Sequence, residues 1–297
     1  MAAEATVPAP RRSAGKRLAD LFQGRPRLTV AALLAAPLGW LVIGYLGSLG
    51  VMLVASFWHL NELSGEVTQG FSLDNYDVLF TDEVYRTIAL RTIGIAAAVT
   101  VTDVILAFPI AFYMAKVAKP RMQSLLVVAV LLPLWSSYLV KVGAWRLMLS
   151  EDGVINWALE PFGLHGPGYG TAAVWLVMSY MWLPYMIIPI YAGLERIPDS
   201  ILSASEDLGA KPWRTFRKVI LPMSFPAVVA GSIFTFSLTL GDYITPANVG
   251  TKQFIGNVVY SNFVSNLPLA AAITTIPIVV MVIYLLIARK LGAFDHV

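Results

Sequence analysis

Asp103 stands in the apolar string VTVTDVILAF (99–108), and Asp242 precedes Tyr243 in LGDYITPANVG (240–250). A carboxylate inside a membrane helix costs about 2.5 kcal/mol or more, so Asp103 marks a candidate functional site. Carboxylates beside aromatic rings attract organic ammonium groups through charge and cation–π forces. Asp242 with Tyr243 is the better placed pair for that chemistry, and Trp135, Tyr138 and Trp182 are the rings that could line the same route. Each residue also has a plainer reading. Asp103 would pair with a hydroxyl such as Thr100, or with a second subunit, purely for packing. The rings would belong to an interfacial belt or to helix packing.

Catalytic chemistry has little to work with. The chain has no cysteine, and its three histidines, His59, His165 and His296, are scattered without metal-ligand spacing. No phosphate-binding loop occurs, since Gly15-Lys16 is followed by Arg17 and no glycine stands five residues ahead of Gly15. The chain is therefore expected to be no enzyme, to carry no metal or cofactor, and to leave any nucleotide hydrolysis to another protein.

The elements that position these residues are membrane helices. The 297 residues are 57% hydrophobic and 13% charged, with a mean hydropathy of +0.70. A soluble domain carries about 25% charge, so the lipid bilayer is the expected surroundings. Against a yardstick of about 20 apolar residues per span, six runs qualify, at 29–57, 92–115, 123–141, 171–193, 223–245 and 268–288. None alternates with period two, which argues against a β-barrel. Loops are expected at 58–91, 142–170 and 246–267. Pro109, Pro184 and Pro189 would kink the second and fourth spans. The basic segment 1–27 reads as a disordered tail, and 291–297 as a second tail. The apolar run after the first tail, about 30 residues, is too long for a signal-peptide core.

Charge placement gives an orientation. With the N-terminus cytoplasmic, the 21 Lys and Arg residues lie inside except Arg86, Arg91, Lys141, Arg146 and Lys252. Both termini and the segment 194–222 are then cytoplasmic. That segment includes SASEDLGAKPWRTFRKVILP (203–222), whose local chemistry predicts an elbow. Pro198 and Asp199 suit a helix start, Gly209 a left-handed helix end, and Pro212 the start of a second short helix. Arg214, Arg217 and Lys218 share one face of that helix, while Trp213, Phe216 and Ile220 form an apolar stripe. Pro222 would begin the next span. From the residues alone, an interfacial helix with snorkelling basic side chains explains the segment equally well.

The segment resembles the cytoplasmic loop of permease subunits in binding-protein-dependent ABC importers, whose pattern is Glu-Ala-Ala, three residues, Gly, nine residues, Ile-x-Leu-Pro. Here Ser203-Ala204-Ser205 occupy the first places, Gly209 the glycine, and Ile220-Leu221-Pro222 the end. Ser203 replaces the pattern's Glu and Ser205 its second Ala. FSLDNYDVLF (71–80), FPIAFYMAK (108–116), LPLWSSYLVKVGAWRLML (132–149) and LGDYITPANVG are similar to the branch that imports spermidine and putrescine, so the likeness covers 28–290.

The resemblance implies an all-α membrane protein with the six-helix permease fold of type I importers, in the bacterial inner membrane, with both termini cytoplasmic. It implies half of a translocation pathway for a small cationic solute, foremost a polyamine, with iron(III) or another amine-like solute as alternatives. It implies a second, similar but distinct permease subunit and two cytosolic ATPase subunits that bind ATP and Mg. An external substrate-binding protein completes the set, and nucleic acid has no part. Ser203, Ala204, Ser205, Asp207, Gly209, Ala210 and Pro222 would couple to an ATPase. The 149–170 loop would face the binding protein. An ion-coupled secondary transporter is the competing class, but the internal repeats many of them carry are not visible.

Overall fold

The computed structural model describes residues 26–61 and 64–290. The tails expected at 1–27 and 291–297 lie outside them, apart from Pro26 and Arg27, which open the first helix. The chain divides into two units, up to Val54 and from Ala55 onward. In the first, α1 (Pro26–Trp40) passes through a π-helical turn (Leu41–Leu46) into α2 (Gly47–Ala55). The run Thr29–Ala55 is apolar and long enough to span a membrane.

The second unit opens with a two-stranded hairpin, β1 (His59–Leu60) and β2 (Val67–Thr68), with His59 opposite Thr68. Helix α3 (Asp74–Thr81) and the long α4 (Glu83–Phe112) follow, and a π-helical turn (Tyr113–Val117) extends α4. The second span thus begins nine residues before the expected 92. The Asp82 carboxylate accepts from the Val84 amide at 2.8 Å, a side-chain cap that starts the helix ahead of its apolar run.

The third span departs most from expectation. Instead of one helix over 123–141 there are two, α5 (Pro120–Trp135) and α6 (Tyr138–Leu149), bent by 90° across Ser136–Ser137. The break leaves helix-end carbonyls to be satisfied. Pro133 O accepts from Ser136 Oγ at 2.9 Å and from Lys141 Nζ at 3.1 Å. The loop expected from 142 is therefore helical to Leu149, and it also holds the short α7 (Val154–Leu159).

Helix α8 (Thr171–Glu195) runs unbroken through Pro184 and Pro189. After α9 (Asp199–Asp207) and α10 (Pro212–Thr215), a π-helical turn (Phe216–Ile220) leads without interruption into α11 (Leu221–Gly241). The fifth span is thus Pro212–Gly241. Pro222 lies inside it rather than at its start, because Pro212 already supplies the fixed φ that opens the helix. The expected 246–267 loop is instead occupied mainly by α12 (Ile244–Val249) and α13 (Ile255–Ser265), before α14 (Leu267–Lys290). Among the described residues, five helical runs are long and apolar enough to cross a membrane, and the bent α5–α6 pair would make a sixth.

The core lies where α4, α8 and α11 meet. Val99 clusters with Val174, Val177, Met178 and Met181, while Ala107, Ala111 and Met114 cluster with Met186, Ile190 and Leu194. The two helices therefore run in the same direction. Helix α11 runs against them, for a Cβ added at Gly231 would fall 2.8 Å from Met186 Sδ, and one at Gly193 only 2.3 Å from Ala227 Cβ. In lipid the hydrophobic effect does not hold helices together, so close backbone approach at small residues has to.

Candidate functional site

The elbow forms at one end of this trio. Helix α9 ends in a paired cap: the Ala210 amide donates to Ser205 O at 3.1 Å, and the Gly209 amide to Glu206 O at 2.7 Å. This nested pair requires a left-handed residue at Gly209, whose φ is +72°. The chain then turns and α10 begins at Pro212. Ser205 Oγ and Thr215 Oγ1, 2.9 Å apart, clasp the two arms, and Ser203 Oγ donates to Asp199 O at 3.1 Å. Ser205, expected only as part of the coupling segment, thus makes the direct link between the arms. Ala204 and Asp207 are exposed on α9, and Ala210 is half-buried at the corner.

The apolar stripe of the second arm divides by depth. Ile220 is buried among Ala111, Met114 and Leu194, and Phe216 packs edge-on against Phe108 with ring centres 5.6 Å apart. Trp213 stacks on Phe216 at 5.5 Å yet stays 69% exposed, and Leu208 at the corner is 88% exposed. Two large apolar side chains at the tip of a charged elbow form a surface suited to a protein partner.

Lys116, counted in the sequence only as a positive charge, also reaches the elbow. Its Nζ donates to Ile197 O at 2.6 Å and to Asp199 Oδ1 at 2.9 Å. Its place in FPIAFYMAK was visible, but nothing in the sequence pairs it with residues more than eighty positions away.

At the other end, Asp242 sits in the break between α11 and α12. Its Oδ1 accepts from the amides of Ile244 at 2.9 Å and Thr245 at 3.2 Å, and Tyr138 Oη donates to Oδ2. Thr245 Oγ1 lies 2.7 Å from Tyr138 Oη. Because the tyrosine proton goes to Asp242, Thr245 is the donor there. Trp182 stacks on Tyr138 with ring centres 5.8 Å apart. Asp242, Tyr138 and Trp182, singled out separately in the sequence, thus form one junction between α6, α8 and α12. Thr245 was not foreseen, although an Asp two residues ahead of a helix start is a capping signal.

The other candidates lie apart. Tyr243 turns from the junction to stack on Tyr260 at 4.6 Å. With Phe263 and Thr274 it lines an apolar recess of about 270 Å³ between α11, α13 and α14. Trp135, at the end of α5, is 88% exposed and joins none of these groups. Asp103 is fully enclosed in α4, and among the described residues neither oxygen has a hydrogen-bond partner. The pairing with Thr100 does not form, because Thr100 Oγ1 donates to Ala96 O in its own helix at 2.7 Å. A helix-interior hydroxyl commonly satisfies itself this way.

Residues 89–293 match the family described as binding-protein-dependent transport system inner membrane component, and the chain belongs to that family. It is a multi-pass protein of the bacterial inner membrane and a transport subunit, not an enzyme. It is 44% identical to the inner membrane ABC transporter permease protein YdcU of Escherichia coli (strain K12), over 94% of this chain and 95% of that one. It is 28% identical to the spermidine/putrescine transport system permease protein PotB of the same strain, over 84% of this chain and 92% of that one. Among solved structures, it matches a bacterial alginate ABC transporter in complex with an alginate pentasaccharide-bound periplasmic protein. The TM-score is 0.66 at 18% identity, covering 92% of this chain and 96% of that one, a likeness of fold.

Proposed function

We propose that this chain is one of two similar but distinct permease subunits of an ATP-driven importer for small organic cations, foremost spermidine and putrescine. The observation that carries the coupling role is the elbow. It has a fixed corner at Gly209, a clasp between its arms, and an exposed Leu208–Trp213 tip continuous with a membrane span. Such an element transmits force, whereas a floppy loop would dissipate it. The elbow end is cytoplasmic, in keeping with its Lys and Arg content. It docks on one of two cytosolic ATPase subunits, which hold the ATP and Mg. Ser203, Ala204, Ser205, Asp207, Gly209, Ala210 and Pro222 belong to the docking and force-bearing segment. A substrate-binding protein delivers solute at the opposite end.

The polyamine reading is supported by the relatives named for spermidine and putrescine; the relative at 44% identity carries no solute in its name. Along the solute's route we place the rings of Tyr243, Tyr138, Trp182 and Trp135, which suit alkylammonium groups. Asp242 holds the Tyr138 junction at the outer end, and Asp103 is the carboxylate enclosed midway along α4.

The test is to purify the complex from its own cells, rebuild it in lipid, and measure ATP hydrolysis with its binding protein. Hydrolysis is expected to rise severalfold when that protein is loaded with spermidine or putrescine. A rise only with a different solute would overturn the polyamine assignment, and purification of this chain without any ATPase would overturn the importer itself.

A further inference from the structure

Lys116 joins three elements that are far apart in sequence. It is carried by the π-helical turn that extends α4, it donates to the carbonyl of Ile197 in the turn just beyond α8, and it meets Asp199, the first residue of α9. Its side chain is only 11% exposed, while that of Asp199 is 85% exposed. The ion pair to Asp199 is thus largely solvated and weak. The bond to Ile197 O is a charge-assisted one, made to a residue that is itself buried, and it is the stronger of the two. A cation at a helix C-terminus also answers the partial negative charge of the end carbonyls.

The same span grips the other arm. Phe108, two turns before Lys116, meets Phe216 in the π-helical turn that follows α10. The elbow is continuous through the backbone with α8 on one side and α11 on the other. Helix α4 has no such connection and holds the elbow only through side chains. π-helical turns within helices are uncommon and occur often at functional positions, and here one lies on each side of this grip.

We propose that Lys116 is a positioning residue that ties the end of α4 to the elbow, so that displacement of the elbow carries three spans together rather than two. The proposal rests on the reading of the elbow as the ATPase contact. Without the ammonium, α4 meets the elbow only through apolar packing such as Phe108 on Phe216, which permits sliding, and the elbow would move while the end of α4 lags.

The absence of cysteine makes the test direct. In the intact complex, spin labels are placed on the exposed residues Glu206, on the elbow, and Tyr113, at the end of α4, through Glu206→Cys and Tyr113→Cys. The distance between them is measured without nucleotide and after trapping with ATP and vanadate. With Lys116 present, the distance is expected to be the same in both states. In Lys116→Met, which keeps the apolar stem, trapping is expected to shift it outside the nucleotide-free distribution, and Lys116→Arg is expected to restore the constant distance. A role confined to stability would not produce a nucleotide-dependent shift. Constancy in K116M, or a shift with Lys116 present, would overturn the tie. Should K116M fail to assemble, Lys116→Gln, a shorter and uncharged polar side chain that gives up the charge-assisted bond to Ile197 O, is expected to give a smaller shift of the same kind, and constancy there would overturn it. A wild-type complex that lacks the ATPase would instead sink the elbow reading.

Discussion

Gly209→Val is expected to abolish most transport while leaving the membrane helices folded. An added Cβ at Gly209 would meet nothing within 4 Å, so the penalty is conformational rather than steric. A β-branched residue held at φ +72° costs about 2 kcal/mol. Relaxing to a right-handed conformation would instead open the bonds from Ala210 and Gly209 and part the Ser205–Thr215 clasp. Either way the corner populates its working geometry roughly thirtyfold less, since 1.4 kcal/mol is a factor of ten. The thermal midpoint of the complex should move little, because the Gly209 corner is exposed and takes no part in the α4–α8–α11 core. Uptake by cells carrying the variant, together with the amount of ATPase recovered with it, checks the expectation. Gly209→Asn, which tolerates the left-handed region, should retain most activity. Full transport by G209V would mean that the corner bears no force.

The second large effect is expected at Asp242, and there the loss should be one of stability. Its carboxylate serves two helix-start amides and the Tyr138 hydroxyl in a buried setting. Asp242→Ala strands those donors together, at a cost of about 3 kcal/mol. Asp242→Asn keeps an acceptor for the amides and should cost about 1 kcal/mol. Thermal unfolding of the complex in detergent is the measurement, with D242A lower than D242N and both lower than the parent. If D242A unfolds like the parent and only solute affinity falls, the carboxylate acts on the solute directly and the junction is incidental to folding.

The sequence made some of this legible because the signals were local. Gly209, Pro212 and Asp199 each act within a few residues, so the elbow could be drawn before its surroundings were known. The spans were legible because lipid demands long apolar runs. The break at Ser136–Ser137 was hidden by its company: 125–140 is apolar apart from these two serines, and two serines in such a run are also common in unbroken membrane helices. What stabilises the break, Lys141 reaching back to Pro133 O, is a feature of the folded chain. The early start of α4 was missed because Asp82 lies in a polar stretch where apolar counting sees only loop. Long-range pairs were out of reach for a different reason. Tyr138 with Asp242, Phe108 with Phe216 and Lys116 with Asp199 are brought together by packing of whole helices, which no local pattern encodes.

The most direct test of the account is a photo-crosslink from the elbow tip. A single photoreactive group placed at Leu208 in the intact complex is expected to capture the ATPase. The same group at Phe162, exposed in the 142–170 region at the opposite end, is expected to capture none of it. ATPase captured from Phe162 and not from Leu208 would contradict both the orientation and the coupling role of the elbow.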